Sequence, residues 1–173
     1  MYNVLKIVNW MRVKNKAELI ENKDAEELTQ MKAMKLLYYV QGVSLVYLKH
    51  RMFPDDILAW KYGPAVSKVH QEYQGQREIV GEVSENDIDD YNELSANSKV
   101  NDVLNTVWDS RHHSSWSRLT RNHHGGIRSK VKSLPMMRWK SIFQKLWVNE
   151  MKIQSQDNNS WQLKSVLYNM NYN

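Results

Sequence analysis

Two histidine pairs, His112-His113 and His123-His124, stand in the C-terminal half of the chain, the second inside "RNHHGG". Imidazole is a common metal ligand. Arg118, Arg121, Arg128, Lys130, Lys132, Arg138 and Lys140 interleave with Trp116 and Trp139 in the composition of a nucleic-acid strip, where cations meet phosphate and indoles stack on bases. The metal chemistry is the weaker of the two, because adjacent histidines point apart on most backbones and no carboxylate lies between the pairs. The acidic pairs Asp55-Asp56 and Asp89-Asp90 read as solvated or turn-like charge, without a histidine or serine at a telling spacing. There is no cysteine, which excludes disulfides, thiolate catalysis and cysteine-ligated metal sites. No catalytic residue, metal or cofactor is predicted, and the chain is not expected to be an enzyme.

The 173 residues suffice for one core and are too few for two comfortable domains. The charge is unevenly placed. Up to Ser110 there are 13 Lys+Arg against 17 Asp+Glu, a net of −4; beyond it there are 11 against 2, a net of +9. We therefore divide the chain into a helical unit, 1–110, and a basic C-terminal segment, 111–173, expected to be poorly packed and either partly helical or disordered. Ile142, Phe143, Leu146 and Trp147 could form one helical face there, whereas the asparagine-rich end is polar. No apolar run approaches the ~18–20 residues of a membrane helix, and "MYNVLKIVNWMRVKNK" is periodic rather than a signal peptide's continuous apolar block. A soluble, cytoplasmic protein with no membrane partner is expected.

The first unit reads as mainly α: a single compact domain of about five helices. Val4, Ile7, Val8 and Met11 fall on one helical face. Asp24 with Glu27 is a candidate capping box, and Thr29 a candidate N-cap for "MKAMKLLYYVQGVSLVYL", which is apolar on two sides and so predicted to be central. Phe53-Pro54 breaks the helical pattern. Pro64 is placed as the first residue of a helix over "PAVSKVHQEY", with Val66, Val69, His70 and Tyr73 on one face. An acidic helix or turn, "SENDIDDYNELS", follows, and then Val100, Val103, Leu104 and Val107 repeat the helical spacing. The candidate for a short β-hairpin is "REIVGEVS", around Gly81.

Within that frame, "KLLYYVQGVSLVYL" followed by "PDDILAWKYGPAVSKVHQEY" resembles the central motif of the Panacea domain, the SocA-like antitoxin family of bacteria and their prophages. The residues that carry the resemblance are Leu37, Tyr38, Tyr39, Gln41, Ala59, Trp60, Gly63, Pro64, Val66 and Tyr73. It covers roughly residues 4–120. The resemblance implies a mainly helical antitoxin domain that neutralises a cognate toxin, encoded next door, by protein–protein contact, with or without a protease to which the toxin is handed. Those ten residues are then structural or toxin-binding. Their own chemistry favours structure: Tyr38, Tyr39 and Trp60 as core aromatics, Gly63 and Pro64 as turn residues, and Gln41 as a buried amide tying its helix to the Trp60–Pro64 turn.

The family's ending, with Thr-His, Pro-Trp and a last acidic helix bearing Tyr-Phe, is not followed. Thr120 precedes Arg121, and a basic stretch replaces the acidic helix. One alternate reading frame restores it with permitted codon choices, and at three places the outcome does not depend on codon choice. Taking the third base of each codon with the first two of the next, Met136-Met137 must encode Asp, Trp139-Lys140 must encode Glu, and Phe143-Gln144 must encode Ser or Pro. We therefore expect a frame change between about Ser110 and Thr120 and a degenerate copy of an antitoxin. The alternative function is a nucleic-acid-binding regulator that uses the basic segment, DNA being its partner.

Overall fold

The computed structural model describes residues 1–112. The basic-segment residues Arg118, Arg121, Arg128, Lys130 and Lys132, the candidate helix at Ile142–Trp147 and three of the four paired histidines lie outside the described residues.

Five α-helices and one two-stranded hairpin follow in the order α1 (Val4–Glu21), α2 (Gln30–Tyr47), β1 (Leu58–Trp60), β2 (Gly63–Ala65), α3 (Ser67–Glu72), α4 (Glu85–Ala96) and α5 (Ser98–Asp109), closed by a 3₁₀ turn, Ser110–His112. Each longer helix starts at a side chain that accepts a backbone N–H its first turn would leave unpaired. Asn3 accepts from Leu5, Thr29 from Lys32 and Asn97 from Val100. Ser84 and Asp87 form a reciprocal capping box for α4. The box expected at Asp24 and Glu27 does not form a helix start; α2 begins at Gln30, after Thr29.

The central helix is α2, whose residues from Leu36 through Val46 are all buried. Such all-round burial requires neighbours on every side. They are α5, which turns Val100, Val103, Leu104, Val107 and Trp108 inward, strand β2, α1 and α3. The most extensive helix pairing is α1 with α4. Trp10 of α1 is the joint: fully buried, it stacks on Tyr91 at 5.7 Å and meets Trp108 edge-on at 6.1 Å, while its Nε1 donates to Ser95 Oγ at 3.1 Å. Aromatic geometry of this kind adds to the area the rings bury.

A polar seam runs beside that joint. Arg12 donates through Nε to the carbonyl of Ile79 at 2.8 Å, through Nη2 to those of Val80 at 3.0 Å and Glu82 at 2.8 Å, and through Nη1 to Asp87 Oδ1 at 2.7 Å. Farther along, Asp90 accepts from Asn9 at 2.9 Å and pairs with Lys6 at 3.0 Å, and Lys6 also reaches Glu93. Asp90 is thus an ion-pair member rather than solvated charge. Glu18 accepts from Trp108 Nε1 at 2.7 Å and from Arg111, whose guanidinium lies over the Trp108 ring at 4.1 Å from its centroid.

The hairpin is not at "REIVGEVS". In that stretch only Glu78 makes a single β-bridge, to Thr29. Ile79 and Val80 are both buried, which strict alternation forbids, and their carbonyls are held by Arg12 instead of a partner strand. The observed hairpin joins β1 to β2 through Lys61-Tyr62, with Leu58 opposite Ala65, Ala59 opposite Pro64 and Trp60 opposite Gly63. Pro64 therefore sits in a strand and not at a helix start, and α3 begins at Ser67. Trp60–Gly63 closes a two-residue turn and is the hydrogen-bonded pair, so the Ala59–Pro64 pair next to it is not. The missing N–H of Pro64 faces away from β1 and costs the ladder nothing.

Candidate functional site

The residues of the sequence motif gather where α2, the hairpin and α3 meet, and they divide into a buried brace and an exposed tip. Leu37, Tyr38, Tyr39 and Gln41 are buried in α2. The rings of Tyr38 and Tyr39 meet edge-to-face at 5.3 Å. Burial pushes the Tyr38 hydroxyl well above the ordinary tyrosine range. Val66 is buried just before α3, and Tyr73, half-buried just after it, is also raised by burial, an effect partly offset by the nearby Arg12 charge.

Gln41 does not tie its helix to the Trp60–Pro64 turn. Its Nε2 donates to the Phe53 carbonyl at 2.9 Å, and its Oε1 accepts from Met52 N at 2.8 Å and Phe53 N at 3.3 Å. The fourth backbone group of this fully buried dipeptide, the Met52 carbonyl, accepts from Tyr2 N at 2.7 Å. Every main-chain polar group of Met52-Phe53 is thereby satisfied, three of them by one side chain. Ser44 adds a bond to the His50 carbonyl at 2.8 Å. The loop from α2 to β1 is stitched back onto α2, and this fixes the base from which the hairpin rises.

The hairpin leans on that base through β2 alone. Pro64 and Ala65 are buried, whereas Ala59 and Trp60 of β1 are exposed. Trp60 is therefore not a core aromatic. It is 39% exposed, and its ring stands edge-on to His70 at 4.8 Å. Tyr62 is 70% exposed, with Lys61 Nζ 5.2 Å from its ring centroid. Gly63 has φ +132°, a conformation side chains rarely adopt, and a Cβ there would lie 3.7 Å from Lys35 Cε. Among the described residues, Trp60 and Tyr62 are the two exposed aromatics.

Two anchors were invisible to sequence reasoning. Arg12 and Asp87 lie 75 residues apart, and neither belongs to a motif. The only local sign is Ser84 three residues before Asp87, which marks a helix start and not an ion pair. Among the described residues, no three His, Asp or Glu side chains gather into a site for a metal ion, and no helix is long and apolar enough to cross a membrane.

No curated protein and no solved structure matches the chain. A family match runs over residues 34–126, under the description antitoxin SocA-like, Panacea domain. It takes in α2 from Met34 onward, the hairpin and α3 to α5, and continues past Thr120 to Gly126. Covering more than half of the sequence and containing the brace and the tip, it establishes that the chain belongs to the SocA-like antitoxin family with a Panacea domain.

Proposed function

We propose that this protein is an antitoxin that neutralises a separately encoded toxin by binding it directly in the cytoplasm, without chemistry of its own. The observation that carries this is the family match. What supports it further is the placement of the family's motif residues, which serve a buried brace and an exposed aromatic tip. The test is co-expression with the product of the adjoining gene. The expected result is growth rescue and co-purification of the two chains; toxicity undiminished at equal expression overturns the reading.

The charge of the last 63 residues favours a second reading, a DNA-binding regulator that uses Arg118, Arg121, Arg128, Lys130 and Lys132. It requires DNA binding that weakens steeply with salt and disappears when residues after Ser110 are removed. The gene itself bears on both readings. Translated in three frames from the codon of Val107 to that of Glu150, it is expected to spell the family's Thr-His, Pro-Trp and acidic helix in one alternate frame. The basic segment is then a by-product, and the protein a degenerate copy. Codons that cannot spell those residues leave the segment selected as it stands.

A further inference from the structure

We infer that the hairpin tip, Trp60-Lys61-Tyr62, is the element that enters the partner, and that it takes an apolar cleft rimmed by carboxylates on a protein surface. This rests on the antitoxin reading and names the chemistry of the surface it needs. Three independent features of the tip converge.

The first is composition. The body buries or half-buries every other Trp, Tyr and Phe among the described residues and leaves these two exposed two residues apart, Trp60 at the end of β1 and Tyr62 in the turn that follows it. Tryptophan and tyrosine are the side chains in which binding energy at protein interfaces concentrates, because they bring large area at little cost in rotamer freedom. The exposed aliphatic side chains, Met1, Ile20, Met31 and Ile88, are single residues on other elements.

The second is rigidity. β2 is buried on α2, Gln41 fixes the loop that leads into β1, and His70 stands against the Trp60 ring. Little ordering entropy remains to be lost on binding, which favours affinity without further contacts.

The third is charge. From Ile57 through Gln71 the chain has Lys61 and Lys68 and no carboxylate, and Lys35 stands beside Gly63. None of these three lysines is in an ion pair among the described residues, although the unit up to Ser110 carries a net charge of −4. A positive end on a negative body steers toward acidic partners and repels basic ones. A single-stranded nucleic acid would need aromatic platforms spaced along a cationic groove, and the tip offers one aromatic pair at a point.

The experiment titrates the full chain against the purified product of the adjoining gene at low and high NaCl, with growth rescue in parallel. Variants are Tyr62→Ala, Trp60→Ala, Trp60→Phe and Lys61→Glu, with Ile88→Ala as a control on another exposed apolar residue. The expected result is at least about a tenfold loss of affinity for Tyr62→Ala and Trp60→Ala, with partial recovery in Trp60→Phe. Lys61→Glu should weaken binding at low salt and flatten its salt dependence. Ile88→Ala should bind as wild type. Unchanged melting temperature in Tyr62→Ala separates loss of contact from loss of fold. If the wild type binds and rescues while the tip variants match it, the assignment is wrong and the antitoxin reading stands. If the wild type neither binds nor rescues, the antitoxin reading falls and the assignment with it. Binding of a fluorescent oligo(dT) by the wild type, lost in Tyr62→Ala, assigns the tip to nucleic acid and overturns the inference.

Discussion

The seam between α1 and α4 and the hairpin end of α2 are built from similar residue types arranged to opposite purpose. In the seam, Arg12, Lys6, Asn9 and Trp10 all find partners on α4 or the loop before it, so that the Arg12 charge and the Trp10 indole are turned inward and Lys6 is tied down at the rim. At the hairpin, Trp60 is partly and Tyr62 largely open to solvent, and Lys35, Lys61 and Lys68 have no carboxylate partner among the described residues. Polar and aromatic side chains that close on their own fold hold it together. The same chemistry left open, on a rigid base, is available to another molecule. Composition alone would not separate the two; the partners do.

The comparison breaks most visibly at Arg12. Arg12→Ala leaves Asp87, whose side chain is 6% exposed, without its cation and frees three loop carbonyls, so urea denaturation should show a loss of about 3–5 kcal/mol. Arg12→Lys should recover little of it, because an ammonium cannot serve carbonyls and a carboxylate on different sides through a planar fork. Next comes the brace. Gln41→Leu fills a similar volume but strands the two N–H groups and one carbonyl of Met52-Phe53, and should cost about 3 kcal/mol.

Alkaline pH should loosen the seam and the core together. Hydrogen bonds to Glu93 and Asp90 raise Lys6 from 10.5 to about 12, so its contribution is complete below pH 10.5 and is lost as the pH rises through about 12. Tyr38, raised by burial, acts in the same direction, its contribution fading above its ordinary value of 10.0. The melting temperature should therefore be level between about pH 7 and 9 and fall above about 10, and Lys6→Met should soften the upper part of that fall. The smallest effect is expected at the tip: Tyr62→Ala should change folding stability by no more than about 0.5 kcal/mol, which sharpens the contrast with Arg12.

Most of the helical architecture was legible because burial imposes the 3.6-residue period on each helix separately. Val4, Ile7, Val8 and Met11, and likewise Val100, Val103, Leu104 and Val107, are buried as their spacing predicts. Errors arose where a distant group decides the local conformation. The run "REIVGEVS" alternates well enough for a strand, yet Arg12, 67 residues from Ile79, claims its carbonyls. The true hairpin turns at Lys61-Tyr62, which lacks the Asn-Gly or Asp-Gly signature, and its glycine comes one residue after the turn. Gln41 was legible as a buried amide needing partners, but not which loop supplies them, since backbone groups carry no sequence label. Trp60 was expected in the core by its type; the hairpin holds it out because only β2 lies on α2.

The clasp of Glu18 with Trp108 and Arg111 has a consequence for how such a chain can evolve. It locks the end of α5 to α1 with one carboxylate that serves both an indole and a guanidinium. Glu18 therefore cannot change alone: any replacement loses partners 90 and 93 residues away at once, so the three residues are expected to vary together.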